Sequence, residues 1–161
     1  MITVINGAPG SGKSKTAQCL FETTSQSAWV DGDWLLAINP TMENDDERKL
    51  RYKNISTLVK NYHENGFTNV FVSFVYMKSS DLQEQIDSLK IIDSVRVFAL
   101  VSDSETLRNR HSEDTYKREE IESSIDLNNK IAAMEDNEVI NNSTLSIEEV
   151  AKLIKEKLGK S

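Results

Sequence analysis

A glycine-spaced segment near the start of the chain constrains the fold more than any other feature. It reads Gly7-Ala8-Pro9-Gly10-Ser11-Gly12-Lys13-Ser14 and follows a short apolar, β-branched run at residues 2–6. The run predicts a strand, and the apolar spacing after the segment predicts an amphipathic helix over residues 13–24. A tight turn that joins a strand to a helix in this way is the opening unit of an α/β sheet.

The spacing of this segment fits G-x-x-x-x-G-K-[ST] at every defined position, and this pattern is typical of phosphate binding. Its glycines let backbone N–H groups point at phosphate oxygens, and the helix N-terminus adds positive potential. We expect Lys13 to bridge the β- and γ-phosphates and the Ser14 hydroxyl to ligate Mg²⁺. The expected ligands are Mg²⁺ and ATP, although the sequence does not distinguish ATP from GTP. The residues expected to bind the nucleotide are Gly7, Ala8, Pro9, Gly10, Ser11, Gly12, Lys13, Ser14 and Lys15.

Strand and helix patterns alternate five times along the chain. The run at residues 69–76 is apolar on both faces, which indicates a central strand of a parallel sheet. Ser80 with Gln83, and Ser146 with Glu149, form capping-box pairs that predict two helix starts. We therefore predict one α/β domain over residues 1–161, with three α/β/α layers around a five-stranded, mostly parallel sheet. The predicted strands are 2–6, 28–31, 69–76, 95–101 and 138–141, and the predicted helices are 13–24, 45–65, 80–89, 103–110, a segment reaching 135, and 146–158.

Two aspartates follow the second predicted strand, in the sequence Asp31-Gly32-Asp33. Residues two apart on a strand point the same way and lie about 6.6 Å apart. Ligands of open α/β sheets bind beyond the carboxyl ends of the strands, where this pair and the glycine segment both emerge. One carboxylate is expected to hold Mg²⁺ through water and the other to orient an acceptor hydroxyl for in-line attack.

Composition and charge narrow the class of protein. The chain has 161 residues and a net charge of −7, a field that repels phosphate backbones at long range and argues against a nucleic-acid binder. The absence of a long apolar run and of a basic leader predicts no membrane span and no signal peptide. The single cysteine, Cys19, suits a reducing compartment, so we expect a cytoplasmic location. The sequence leaves the oligomeric state open.

The glycine segment followed some twenty residues later by Asp31-Gly32-Asp33-Trp34 resembles the small-molecule kinase branch of the P-loop proteins, which includes shikimate, gluconate and nucleotide-kinase-like proteins. Asn39-Pro40, Asn54-Ile55 and the strand at 70–75 resemble bacterial nucleotide-kinase-like proteins, and the residues 44–49 resemble gluconate kinases. The resemblance implies the P-loop nucleoside triphosphate hydrolase fold and transfer of the γ-phosphoryl group of ATP. It also implies that Asp31 holds the water shell of the metal and that Asp33 contacts a small-molecule acceptor.

The same resemblance assigns roles to the second half of the chain. Leu107-Arg108-Asn109-Arg110 matches the Leu-x-x-Arg of these kinases, which implies that Arg110 meets adenine or phosphate. Residues 112–122 would form a lid, and Asn142 would flank the base. A transition state spread over phosphate oxygens needs a further cation, which Lys117 or Arg118 would supply from the lid.

The sequence also departs from that pattern. The third predicted strand ends Phe74-Val75-Tyr76, where many P-loop enzymes place a second metal carboxylate. Arg48 and Arg51 either pair with an anionic acceptor or belong to a solvated helix face. Trp34 either stacks on an acceptor ring or packs against the protein.

Three functions are compatible with these features. The first is an ATP-dependent small-molecule kinase that acts on a hydroxyl or phosphate. The aspartate pair and an arginine in the lid favour this function. The second is a nucleotide-binding switch or regulatory ATPase without a small-molecule acceptor, which the missing third-strand aspartate favours. The third, a polynucleotide 5′-end kinase, needs a basic groove that the net charge does not predict.

Overall fold

The five strands form one fully parallel sheet in the computed structural model, which describes residues 1–113 and 120–159. The strands are β1 (Ile2–Gly7), β2 (Ser27–Asp31), β3 (Asn69–Ser73), β4 (Val95–Val101) and β5 (Glu138–Asn141), in the spatial order β2-β3-β1-β4-β5. The helices are α1 (Lys13–Glu22), α2 (Asn44–Glu64), α3 (Ser79–Lys90), α4 (Ser104–Glu113), α5 (Ile121–Ala132) and α6 (Ile147–Leu158), and a 3₁₀ helix covers Gly32–Trp34. The predicted α/β/α layers are confirmed.

The sheet is buried on both faces because its strands alternate apolar residues between two cores. Val4 of β1 faces a core completed by α2, α3 and α5, whereas Ile5 faces a core completed by α1 and α6. In β4, Ala99 faces the first of these cores and Leu100 faces the second. This two-residue period requires hydrophobic side chains on both faces, which is why the strands appear in the sequence as continuous apolar runs.

The crossover connections bring the functional loops to one edge of the sheet. The chain leaves β1 for α1 on one face and leaves β3 for α3 on the other face. In parallel sheets, the crevice for a ligand opens beyond the carboxyl ends of strands whose connections diverge in this way. The turn after β1 and the loop after β2 both emerge at that edge.

Two of the predicted helix ends are confirmed in detail. After α2, Gly66 has a φ of 89° and its N–H donates to the carbonyl of His63, while the N–H of Phe67 donates to the carbonyl of Tyr62. This double pattern is the Schellman motif. At the start of α6, Ser146 and Glu149 exchange the two hydrogen bonds of a capping box.

Two other predictions about the elements were wrong. β3 ends at Ser73 rather than at residue 76, because the side chain of Asn6 accepts the Tyr76 N–H at 3.0 Å in place of a strand partner. α3 begins at Ser79 without a capping box, since the Gln83 side chain donates forward to Asp87 at 2.7 Å. The apolar run and the Ser-x-x-Gln spacing could not reveal either competing hydrogen bond.

A partly exposed cluster of three charges joins β4, β5 and α6 and gives the stability of the fold a pH dependence. The Glu138 carboxylate accepts from Lys157 Nζ at 2.5 Å and from Arg96 Nη2 at 2.7 Å, and these contacts hold the pKa of Glu138 below its ordinary value. A carboxyl group whose pKa is lower in the folded state than in the unfolded state stabilises the fold at pH values above the unfolded pKa. This contribution is lost as the pH falls through the folded-state pKa.

We therefore expect Glu138→Gln to lower the melting temperature at pH 7 and to lose this effect as the pH falls below the ordinary glutamate pKa of about 4.3 and through the lower folded-state pKa of Glu138, where the wild-type carboxyl also becomes protonated. Thermal unfolding from pH 3 to pH 8 measures the difference. Glu135→Gln, which changes an exposed carboxylate three residues earlier, is the control. A deficit that stays constant with pH would contradict the assignment.

Candidate functional site

The turn after β1 has the backbone of a phosphate cradle. Gly10 and Gly12 have φ values of 79° and 87°, in the left-handed region that favours glycine. The Ser11 N–H donates to the carbonyl of Ala8 at 3.1 Å and closes the turn. The predicted strand–turn–helix context of the motif is thus confirmed, because β1 ends at Gly7 and α1 begins at Lys13.

Gly7 is required by close approach rather than by its φ angle. A Cβ atom at this position would lie 2.3 Å from Ser11 Oγ and 3.0 Å from the carbonyl oxygen of Leu100 in β4. The turn therefore folds back onto its own strand and onto the neighbouring strand, and it leaves no room for a side chain.

The N-terminus of α1 has the properties expected of an anion site. Its cap residue, Gly12, offers no side-chain hydrogen bond, and the first turn of the helix contains no acidic residue. Lys13 and Ser14 are half-buried at this end, and Lys15 is exposed. The buried Ser11 hydroxyl has no hydrogen-bond partner among the described residues. These groups fit the phosphates of a nucleotide, which would be bound by backbone N–H groups and by the Lys13 ammonium.

An asparagine under the turn fixes its start. Asn6 is fully buried, and its Oδ1 accepts the N–H of Gly7 at 2.8 Å and the N–H of Tyr76 at 3.0 Å. One side chain thereby joins the phosphate turn to the segment that follows β3. Sequence reasoning did not identify this role, although a buried amide within an apolar strand is the signal that could have done so.

A second asparagine supports the middle of the turn. Asn142, which is only 1% exposed, donates from Nδ2 to the Ser11 carbonyl at 2.8 Å and accepts from the Ser102 hydroxyl at 2.5 Å. Arg110 completes the group, since Nη1 donates to Ser102 Oγ at 3.0 Å and Nη2 donates to the Asn142 carbonyl at 3.1 Å. The structure places Asn142 beneath the turn and connects Arg110 to it, so α4 and the loop after β5 are coupled to the phosphate site. Contact of either residue with base or phosphate stays a prediction.

The geometry predicted for the aspartate pair was wrong. Asp31 ends β2, but Asp33 lies in the 3₁₀ helix that follows, so the two do not share a strand face. Asp31 Oδ1 instead accepts the N–H of Asp33 at 3.0 Å and caps that short helix. A Cβ on Gly32 would lie 2.5 Å from the Phe74 ring. The backbone at Gly32 therefore packs against this ring so closely that no side chain fits between them. Both carboxylates still lie at the edge where the phosphate turn emerges.

Helix α2 fastens the aspartate loop from the side. Arg51 Nη1 donates to the Gly32 carbonyl at 3.0 Å, and Asn54 Nδ2 donates to the Leu35 carbonyl at 2.9 Å. Arg51 also pairs with Glu47 at 3.1 Å and lies over the Phe74 ring, with the guanidinium carbon 5.6 Å from the ring centroid. Neither interpretation of Arg51 from the sequence anticipated this role in holding the loop.

Aromatic packing occupies the position after β3 where the sequence has no aspartate. The rings of Phe74 and Tyr76 lie 5.3 Å apart in an edge-on arrangement, and the Tyr52 ring lies 5.7 Å from that of Tyr76. Burial raises the pKa of the Tyr76 hydroxyl well above its ordinary value, so this group stays neutral. The segment therefore contributes packing and no metal ligand.

Ser14 and Asp31 remain the predicted metal ligands. Among residues 1–113 and 120–159, no cluster of three or more His, Cys, Asp or Glu side chains could hold a metal ion. An ion at this edge would therefore depend on nucleotide phosphates and water for most of its ligands, which is the usual arrangement for Mg²⁺.

Most of the predicted lid, residues 112–122, lies outside the residues that the structure describes. Residues 112 and 113 belong to α4 and α5 begins at Ile121, while Lys117 and Arg118 lie outside the described residues. A cleft of about 430 Å³ lies at the opposite edge of the sheet, against the amino ends of β4 and β5. It is remote from the phosphate turn by topology. Within the described part of the chain, no helix has the length and hydrophobicity needed to cross a bilayer.

Comparison with known proteins supports the fold. No protein-family model matches the chain, and no curated protein matches its sequence significantly. The structure of the tunicamycin resistance protein of Deinococcus radiodurans is similar with a TM-score of 0.79 and 16% identity, over 98% of this chain and 95% of that one. Shikimate kinase of Bacteroides thetaiotaomicron follows with a TM-score of 0.71 and 14% identity, over 99% and 98% of the two chains. Thymidylate kinase of Candida albicans is similar with a TM-score of 0.68 and 13% identity, over 99% of this chain and 91% of that one. The strand order, the phosphate turn and these similarities together show that the chain has the P-loop kinase fold.

Proposed function

We propose that the protein is an ATP-dependent kinase that transfers the γ-phosphoryl group to a hydroxyl or phosphate of a small molecule. The observation that carries the proposal is that an uncapped, glycine-formed helix N-terminus and the carboxylates of Asp31 and Asp33 emerge at the same edge of the sheet. This arrangement supports a donor site and an acceptor-orienting group at one edge. Fold similarity to small-molecule kinases supports this interpretation.

The donor half consists of the turn and its supports. Backbone N–H groups of the turn and the Lys13 ammonium would bind the β- and γ-phosphates. Mg²⁺, held by the Ser14 hydroxyl and through water by Asp31, would neutralise charge on those phosphates. Asn6 and Asn142 hold the turn in the binding shape before the nucleotide arrives, because their hydrogen bonds exist within the protein itself.

The acceptor half depends on Asp33. Its carboxylate would accept a hydrogen bond from the acceptor hydroxyl and orient the oxygen in line with the γ-phosphorus. The new bond joins the acceptor oxygen to that phosphorus, the bond to the β–γ bridging oxygen breaks, and ADP leaves with the electron pair. The hydroxyl proton passes to Asp33 or through it to water. Lys13 and Arg110, together with Lys117 or Arg118, are the proposed cations for the charge that develops on the phosphate oxygens.

Asp33→Asn tests this assignment. ADP release by purified protein with Mg²⁺-ATP is measured against nucleosides, nucleotides, sugar acids, aminoglycosides and, because one structural neighbour is a tunicamycin resistance protein, tunicamycin. We expect one acceptor class to raise the rate and Asp33→Asn to lower the stimulated rate about 100-fold or more, since the amide cannot take the proton.

Asp46→Asn is the matched control because it removes an exposed carboxylate at the start of α2. It is expected to leave the stimulated rate unchanged. Equal losses in both variants would point to general electrostatics and would contradict a specific role for Asp33.

A regulatory ATPase without a small-molecule acceptor is the second candidate. The observation that favours it is the aromatic cluster after β3, where Phe74 and Tyr76 stand in place of a second metal carboxylate. This function predicts tight ATP binding, slow hydrolysis that no acceptor in the panel accelerates, and no effect of Asp33→Asn.

A further inference from the structure

Trp34 is presented to solvent on a turn that is held from three sides. It is 82% exposed, the highest exposure of any large aromatic side chain among the described residues. The turn that carries it is fixed by the Asp31 cap, by Arg51 on the Gly32 carbonyl and by Asn54 on the Leu35 carbonyl. Packing does not account for this tryptophan, although its backbone is anchored.

Further apolar surface lies along the same edge. Asp31 pairs with Ser73 in the register of β2 and β3, so the segments that follow these two strands leave the sheet next to each other. Met77, four residues beyond Ser73, is 53% exposed, and Met42, before α2, is 42% exposed. The exposed indole of Trp34 and the exposed thioether of Met77 follow neighbouring strands, and together they suit a flat apolar group.

The arginines of the adjacent helix are already neutralised. Arg48 pairs with Asp45 at 3.3 Å and with Asp81 at 3.6 Å, and Asp81 is 7% exposed. Arg51 pairs with Glu47 and donates to the Gly32 carbonyl. An anionic acceptor would compete with these partners for the guanidinium groups, and weaker pairing of the nearly buried Asp81 carboxylate with Arg48 would be costly.

The charged side chains between Asp31 and the first turn of α2 are all acidic. Glu43, Asp45 and Asp46 are exposed at the start of α2, and Asp33 is exposed beside Trp34. Lys78, next to Met77, is exposed as well, but a single solvated ammonium pairs weakly with an anion. The local balance disfavours a negatively charged acceptor.

We infer that the acceptor is a hydroxyl compound that carries a flat ring and no acidic group, with the ring stacked on Trp34 and the hydroxyl directed to Asp33. This inference rests on the proposed kinase function. It makes Trp34 the residue that selects the acceptor, and it excludes the sugar acids and nucleotides from the panel of acceptors.

Three glycosides test the inference because the second and the third each differ from the first by one group. Phenyl β-D-glucoside carries the ring, methyl β-D-glucoside has a methyl group in its place, and phenyl β-D-glucuronide has a carboxylate in place of the C6 hydroxymethyl group. Uridine and UMP form a second neutral and anionic pair. Binding is measured by quenching of indole fluorescence in Trp29→Phe, whose remaining tryptophan is Trp34, and in the wild type by calorimetry. ADP release is measured in parallel.

We expect the neutral ring-bearing probes to quench Trp34 and to bind more tightly than the methyl glucoside and the anionic probes. Trp34→Ala should weaken their binding about tenfold, and Trp34→Phe should restore most of it. Preference for the anionic probes, equal binding by Trp34→Ala, or no binding of any neutral ring-bearing probe would overturn the inference. Binding with this pattern but without ADP release would support the recognition site and count against the kinase function, so the two failures are distinguishable.

Discussion

Lys13→Met is expected to reduce phosphoryl transfer about 100- to 1,000-fold, the effect of removing one fixed electrostatic contact from a developing charge. Lys13 is the first residue of α1, at a helix end where no side chain caps the backbone and no acidic residue lies in the first turn. Methionine keeps the length and apolar stem of the side chain and removes only the ammonium. Single-turnover transfer from ATP, with nucleotide affinity measured separately, divides the effect between binding and chemistry.

Lys152→Met is the control for this experiment, since Lys152 is an exposed lysine on α6. It should transfer phosphate at the wild-type rate. If Lys13→Met retained most of the transfer rate, the ammonium would have no part in stabilising the transferring phosphoryl group, and the donor half of the site would need a different cation.

Gly7→Ala is expected to lower the free energy of unfolding by about 1–3 kcal/mol, the usual cost of an extra methyl group in a closed space. The added Cβ would meet Ser11 Oγ at 2.3 Å and the Leu100 carbonyl at 3.0 Å. Because the turn must shift to relieve these contacts, ATP affinity should fall as well. Urea unfolding and nucleotide titration measure the two effects.

A double-mutant cycle with Ser11→Gly identifies the cause. Ser11→Gly removes the nearest contact but not the one to Leu100, so the double variant should recover part of the loss. Gly159→Ala is the control, because a Cβ there meets its nearest atom at 3.5 Å, an ordinary contact. Additive losses in the cycle would show that Gly7 and Ser11 do not compete for the same space.

The sequence alone was sufficient to predict the backbone context of the proposed donor half, which is a strand, a glycine turn and a helix. The G-x-x-x-x-G-K-S spacing, the preceding apolar strand and the following amphipathic helix are local features, and local backbone preferences are enough to predict a strand, a turn and a helix in that order. The five strands were predictable for a similar reason, since a parallel sheet buried on both faces needs continuous apolar runs. The capping pair Ser146 and Glu149 and the predicted end of the helix at residue 65 were also reliable, because the hydrogen bonds that fix them lie within a few residues.

The shape of the aspartate loop, the proposed acceptor half, depends on contacts that no local pattern contains. The aspartate loop turns into a 3₁₀ helix because Gly32 meets Phe74 and Arg51, which are 42 and 19 positions away in the chain. β3 is shortened by Asn6, 70 residues from Tyr76, and the phosphate turn is supported by Asn142, 131 residues from Ser11.

The sequence by itself therefore determined the order of the strands and helices and the phosphate turn, because those follow from short-range backbone preference and hydrophobic period. Only the tertiary structure decided which arginines are neutralised, which asparagines hold the turn and which tryptophan remains exposed. Those properties depend on side chains that meet across the sheet, and the partner in such a contact is set by packing rather than by spacing along the chain.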